Sequence, residues 1–149
     1  TMIQLEGEAI LRLLDMRRVI ESGTVRRAAL NATLAQRQQI SRLCDVLLQV
    51  VDTGEPYRAA DMAFHSAICD ATGNPMFGQV LAKMDDALER SAESPFSVPG
   101  FGLASFPPHR DLANAIVAGD PDAAELAINT ILDSVESEIR QIISPTDNA

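Results

Sequence analysis

Apolar residues recur at helical spacing along nearly the whole chain, and turn and cap signals punctuate the runs. Residues 5–32 carry Leu5, Ile10, Leu11, Leu14, Val19, Ile20 and Val25 on one helical stripe. Gly23 predicts a break or bend near the middle of this stretch. Thr33 and Gln36 form the T-x-x-Q pattern of a capping box, so a second helix runs from there to about Val51. Asp52-Thr53-Gly54 stops it. A third helix spans about Pro56 to Thr72. Gly73-Asn74-Pro75 closes it and opens another, with Asn74 as cap and Pro75 at the first helical position, reaching about Ser91. A further helix begins near Pro108 or His109 and ends at Gly119. Asp120-Pro121 repeats the cap-then-proline signal for a last helix to about Ile143, and residues 144–149 read as a frayed tail. No alternating pattern of strand length occurs. The expected fold is all-α, an antiparallel bundle of six or seven helices.

Composition narrows this. A chain of 149 residues makes one domain with a real core. Aromatics are only 4%, with no Trp and one Tyr, so that core is aliphatic. No apolar run approaches the roughly 18 residues of a membrane span, and TMIQLEGEA lacks the basic start and apolar stretch of a signal peptide. Cys44 and Cys69 fall inside apolar helical patterns. They read as buried free thiols rather than a disulfide, which fits a cytoplasmic protein. The net charge of −9, with Lys83 and eleven scattered arginines, leaves no basic patch to neutralise phosphates. If the intact protein acts on DNA, another segment makes the contact.

The two histidines carry the chemistry. Asp61 and His65 stand at i and i+4, about 40° apart on one helix face. His109 opens a second helical string. Two ligands on one face and a third from a neighbouring helix suit a divalent cation. The same residues also fit a local Asp61–His65 hydrogen bond with His109 as a helix cap. Catalysis finds little support. There is no H-E-x-x-H, no glycine-rich phosphate loop, no nucleophile elbow and no residue placed as a general base.

Residues 92–108 interrupt the helical pattern with four prolines, two glycines and three phenylalanines: Phe96, Phe101 and Phe106. A polar linker would not contain them. They either fold over a ligand pocket or plug a bundle end or a subunit contact.

Three strings occur in an order that resembles a known family. LLDMRRVIESGTVRRAAL at 13–30 looks like the opening helix of a FadR-type effector domain, with Arg17 followed four residues later by Glu21. DMAFHSAICDATGNPMF at 61–77 resembles that domain's D-x-x-F-H signature with its following Asn. HRDLANAIVAGDPDAAELAI at 109–128 resembles its closing helix pair. The resemblance implies the C-terminal ligand-sensing and dimerisation (FCD) domain of a GntR-family transcription regulator. On that reading residues 1–8 are a linker remnant, 9–143 the domain, and the N-terminal winged helix-turn-helix lies outside this chain. A homodimer is implied, with DNA contacted only through the missing module and no membrane partner.

Many members of that family hold a divalent metal, and the resemblance carries three of its ligands to Asp61, His65 and His109. The fourth position, a histidine in the family, is Ile131 here. Its neighbours Ala127, Ile128, Ser134 and Val135 offer no good replacement, and Thr130 points off that face. Either three ligands hold Zn, Ni or Mn at reduced affinity, or the pocket is metal-free and senses a larger apolar acid such as an acyl-CoA. The family's effectors are small organic acids. Arg17, with Asp61, His65 and His109, is the candidate effector contact, its other role being a salt bridge to Glu21. Arg18, Arg26 and Arg27 read as a solvated face or linker contacts, Asn74 as a cap, and Arg110 as pointing away from the site. A metal-dependent hydrolase and a pure dimerisation module are the lesser alternatives. The latter predicts a filled interior with no cavity at His65.

Overall fold

The structure of the chain is a computed structural model that describes residues 2–89 and 99–143, with side chains for 7–88 and 99–143. The expected end of the fourth helix near Ser91, the position of Phe96 and the tail 144–149 lie outside the described residues. Among the described residues the fold is an all-α bundle of six α-helices and one short 3-10 turn.

Helix α1 runs unbroken from Met2 to Asn31. The break expected at Gly23 is absent. A Cβ at Gly23 would meet only the Arg27 guanidinium, at 3.4 Å, so the position is open on one side. A helical glycine costs about 1 kcal/mol against alanine, and the buried Thr24, Val25, Ala28 and Ala29 that follow outweigh it by packing into the core. Residues 2–8, read as a linker remnant, are helical in α1.

The capping box forms as expected. Gln36 N–H donates to Thr33 Oγ1 at 3.1 Å, Thr33 N–H donates to Gln36 Oε1 at 2.9 Å, and α2 spans Leu34–Asp52. Helix α3 covers Arg58–Asp70, shorter at both ends than expected from the Pro56 and Thr72 signals. Met76 N–H donates to Asn74 Oδ1 at 3.0 Å, which starts α4, Met76–Glu89. The 3-10 turn Leu103–Ser105 leads into α5, Pro107–Ala118. Gly119 takes φ +71° to end α5, a conformation that favours glycine. Ala123 N–H then donates to Asp120 Oδ1 at 3.0 Å to start α6, Pro121–Ile143.

Helices α1, α2, α3, α5 and α6 share one core, in which Ile40, Leu47, Phe64, Ile68, Leu112, Ile116 and Ile128 are buried. A smaller cluster of Cys69, Leu81 and Met84 seats α4 against α3 and α1. Both cysteines are buried free thiols. Helix α1 packs along α6, and Arg37 fixes the end of this assembly. Its Nε donates to Ala32 O at 3.0 Å, its Nη2 to Ala29 O at 2.9 Å, and its Nη1 to Ile116 O. One guanidinium thus ties together carbonyls at the C-termini of both α1 and α5. No described helix is long and apolar enough to cross a membrane.

Candidate metal and effector site

Helix α3 presents Asp61 and His65 on one face, and the first turn of α5 brings His109 to them. Asp61 Oδ1 lies 3.2 Å from His65 Nε2 and 3.3 Å from His109 Nε2. The two Nε2 atoms are themselves 3.3 Å apart. Adjacent donors about 2.0–2.1 Å from one shared ion are separated by roughly 3.0–3.4 Å, so these atoms fit a common divalent cation without rearrangement.

The donor chemistry fits as well. His109 Nδ1 donates to Ser105 O at 2.7 Å, which in the neutral ring leaves Nε2 with its lone pair. Asp61 Oδ1 is a buried oxygen facing both Nε2 atoms, and with the two rings protonated at Nδ1 it is left without a donor. A buried acceptor left unpaired costs about 1–3 kcal/mol, more when charged, and a cation removes that cost. Burial opposes ionisation of Asp61, but His65 and His109 outweigh it and hold the carboxyl well below the usual carboxylate range. Burial likewise opposes charge on His65, yet Asp61 and Glu21 outweigh it and raise its pKa above the ordinary histidine value.

The triad opens into a cavity of about 520 Å³, within the roughly 300–1,000 Å³ of small-molecule sites. Phe101 and Phe106 line it, so two of the three loop phenylalanines fold over the pocket. Tyr57 stacks edge-on against Phe106 and donates from its hydroxyl to Phe101 O at 2.9 Å, which holds this wall in place. Ile131, 5% exposed, lines the same cavity beside Leu132 and Val135. The face expected to carry a fourth donor is therefore hydrocarbon. A cavity at His65 also counts against the pure dimerisation module, which requires a filled interior.

Arg17 stands in the cavity wall, but its guanidinium is engaged. Its Nε donates to Glu21 Oε2 at 3.1 Å and its Nη1 to Asp85 Oδ1. Burial opposes its charge, and the two carboxylates outweigh burial and raise its pKa. Of the other arginines, Arg110 pairs with Asp45 on α2, away from the site. Arg18 pairs with Asp133 and Arg26 with Asp122 and Glu125, all on α6, while Arg27 lies 5.3 Å over the Phe77 ring. Sequence reasoning missed Ser105, Tyr57 and Asp85. Tyr57 and Asp85 meet their partners across a long stretch of chain, and Ser105, only four residues from His109, acts through a main-chain carbonyl that any residue would supply.

A helical bundle with an Asp-His-His cluster beside a pocket is the arrangement that the three motifs imply. The family model for the FCD domain matches residues 12–134, and the chain belongs to that family. Among curated relatives it is similar to the HTH-type transcriptional repressor NanR of Citrobacter rodentium. Those two are 33% identical over 128 residues, which cover 83% of this chain and 48% of the relative. The NanR of Klebsiella aerogenes is 32% identical over 130 residues, 86% of this chain and 50% of the relative. The Escherichia coli K12 protein of the same name is 27% identical over 125 residues, 83% of this chain and 48% of the relative. The chain spans about half the length of the curated relatives it matches.

Proposed function

We propose that this chain is the effector-sensing domain of a GntR-family transcription regulator, binding a small organic acid in the bundle pocket through a divalent metal held by Asp61, His65 and His109. The observation that carries this is the convergence of Asp61 Oδ1 and two Nε2 atoms, all within 4.8 Å of one another, at the wall of the cavity. The charge of the wall supports the metal. Glu21, Asp61, Asp70 and Asp85 face Arg17 and Arg58 there, so a carboxylate entering alone meets an excess of negative charge. A metal ion supplies the missing cation, and two imidazoles with one carboxylate accept zinc, nickel or manganese, manganese most weakly. Ile131, Leu132 and Val135 favour one alternative, a metal-free pocket for a more apolar acid.

The similar repressors support regulation rather than catalysis, with DNA contacted through a helix-turn-helix module and the signal passed to it by a shift in helix packing. A coupling of about 1–3 kcal/mol is enough for such a switch. Met16 and Val19, one turn apart on α1 and 54% and 73% exposed, support burial against a second copy. Sedimentation that finds only monomer at micromolar concentration would remove the dimer from this reading.

The test is calorimetry with small hydroxy and keto acids on metal-stripped and metal-loaded protein. Binding that needs metal and disappears in His65→Ala is expected. Equal binding by parent and His65→Ala would remove this pocket from the reading, and binding indifferent to metal would favour the apolar alternative.

A further inference from the structure

We propose that Glu21 is a positioning residue for this site: from α1 it fixes which ring nitrogen of His65 faces Asp61 and His109. The inference rests on the metal reading above. Glu21 is a carboxylate only 4% exposed, in the middle of a helix that contributes no ligand. Its Oε2 accepts from Arg17 Nε at 3.1 Å, and its Oε1 stands 3.8 Å from His65 Nδ1. Each histidine of the triad therefore has an oxygen facing Nδ1, the Ser105 carbonyl hydrogen-bonded to His109 and, as a longer charge contact, the Glu21 carboxylate beside His65. A cation at the shared centre would exclude the proton from Nε2, and the negative charge beside Nδ1 then favours the proton there, leaving the Nε2 lone pair for the ion.

The choice of a carboxylate has a reason in this chain. With Ile131 in the wall the centre has three donors rather than four, and Asp61 is the one anion among them. Glu21 adds negative charge next to the imidazole without occupying a coordination position, and makes His65 a stronger donor. Its contact is with Nδ1, not with the Nε2 side where the donors meet, so it is not itself a ligand.

The plainer role for Glu21 is to neutralise the buried Arg17. The two roles separate in a zinc competition titration against a chromophoric chelator, run on the parent, Glu21→Gln and Arg17→Gln, with melting curves to establish that each is folded. A positioning role predicts zinc affinity about 10–100-fold weaker in Glu21→Gln. It also predicts affinity at least equal to the parent in Arg17→Gln, where the whole charge of Glu21 is left to His65. Parent-like affinity in a folded Glu21→Gln overturns the inference and leaves the metal reading standing. Should Glu21→Gln not fold, a folded Arg17→Gln with weakened zinc binding overturns it alone. A parent that takes up no zinc, nickel or manganese overturns the metal reading, and this inference with it.

Discussion

His109 donates from Nδ1 to the main-chain carbonyl of Ser105 at 2.7 Å, so the orientation of a candidate ligand is set by backbone rather than by another side chain. The 3-10 turn Leu103–Ser105 exposes that carbonyl at the start of α5. Ser105→Ala removes the hydroxyl bond to Gly102 O, 2.6 Å long, yet keeps the carbonyl. Its metal affinity is expected to stay within about threefold of the parent. His109→Gln is expected to lose the metal-induced rise in melting temperature. That rise is about 5–10 °C for a chain this size at a hundred times the dissociation constant. A Ser105→Ala protein that loses the rise as fully as His109→Gln would show that the hydroxyl, not the carbonyl, matters.

Ile131 faces the cavity where the family's fourth ligand is expected. Ile131→His should therefore tighten zinc binding by at least about tenfold, since one imidazole donor is added to three. An unchanged titration would mean that this side chain does not reach the donors.

Arg37 holds carbonyls of Ala29, Ala32 and Ile116 together. Hydrogen bonds to a charged group contribute about 1.5–3 kcal/mol each and do not add fully. Arg37→Ala is expected to destabilise by about 2–4 kcal/mol in urea unfolding, without altering metal affinity. A loss below about 0.5 kcal/mol would show that water replaces the clamp.

Burial pushes the Cys69 thiol up to about 12. The unfolded thiol ionises near the ordinary value of about 8.5, so between there and 12 the unfolded chain loses protons that the folded one keeps. The stability linked to this group is fully present below pH 8 and falls as pH rises towards 12. Denaturant melts of parent and Cys69→Ala should converge or cross as pH rises from 8 to 10.5, and native Cys69 should resist alkylation at pH 8. Parallel stability curves across that range would sink the assignment.

Local rules made much of the fold legible. Thr33 with Gln36, Asn74 before Pro75, and Asp120 before Pro121 each act within three residues, and each forms the cap its sequence predicts. Gly23 failed as a signal because its cost is small and the packing of its neighbours is not local. Asp61 and His65 were readable from spacing on one helix, and His109 was a candidate third ligand as the only other histidine, but its meeting with them depends on how α5 packs against α3. The contacts of Asp85 with Arg17 and of Glu21 with His65 join α1 to α4 and α3. Nothing in the periodicity of any one helix encodes such a pairing, because it depends on how whole helices are set against each other.

The unbroken course of α1 through Gly23 gives the molecule a lever arm. Thirty residues of helix make a rod about 45 Å long. Glu21 stands nineteen residues from Met2, a distance of about 28 Å along the axis. A tilt of about 5° pivoting at Glu21 moves the Met2 end by about 2.5 Å, given that rise per residue. A hinge at Gly23 would have separated this rod from the last turns of α1, which Arg37 anchors to α5. Because the helix is continuous, Glu21 and the Met2 end belong to one element, and a tilt at the first is a larger displacement at the second.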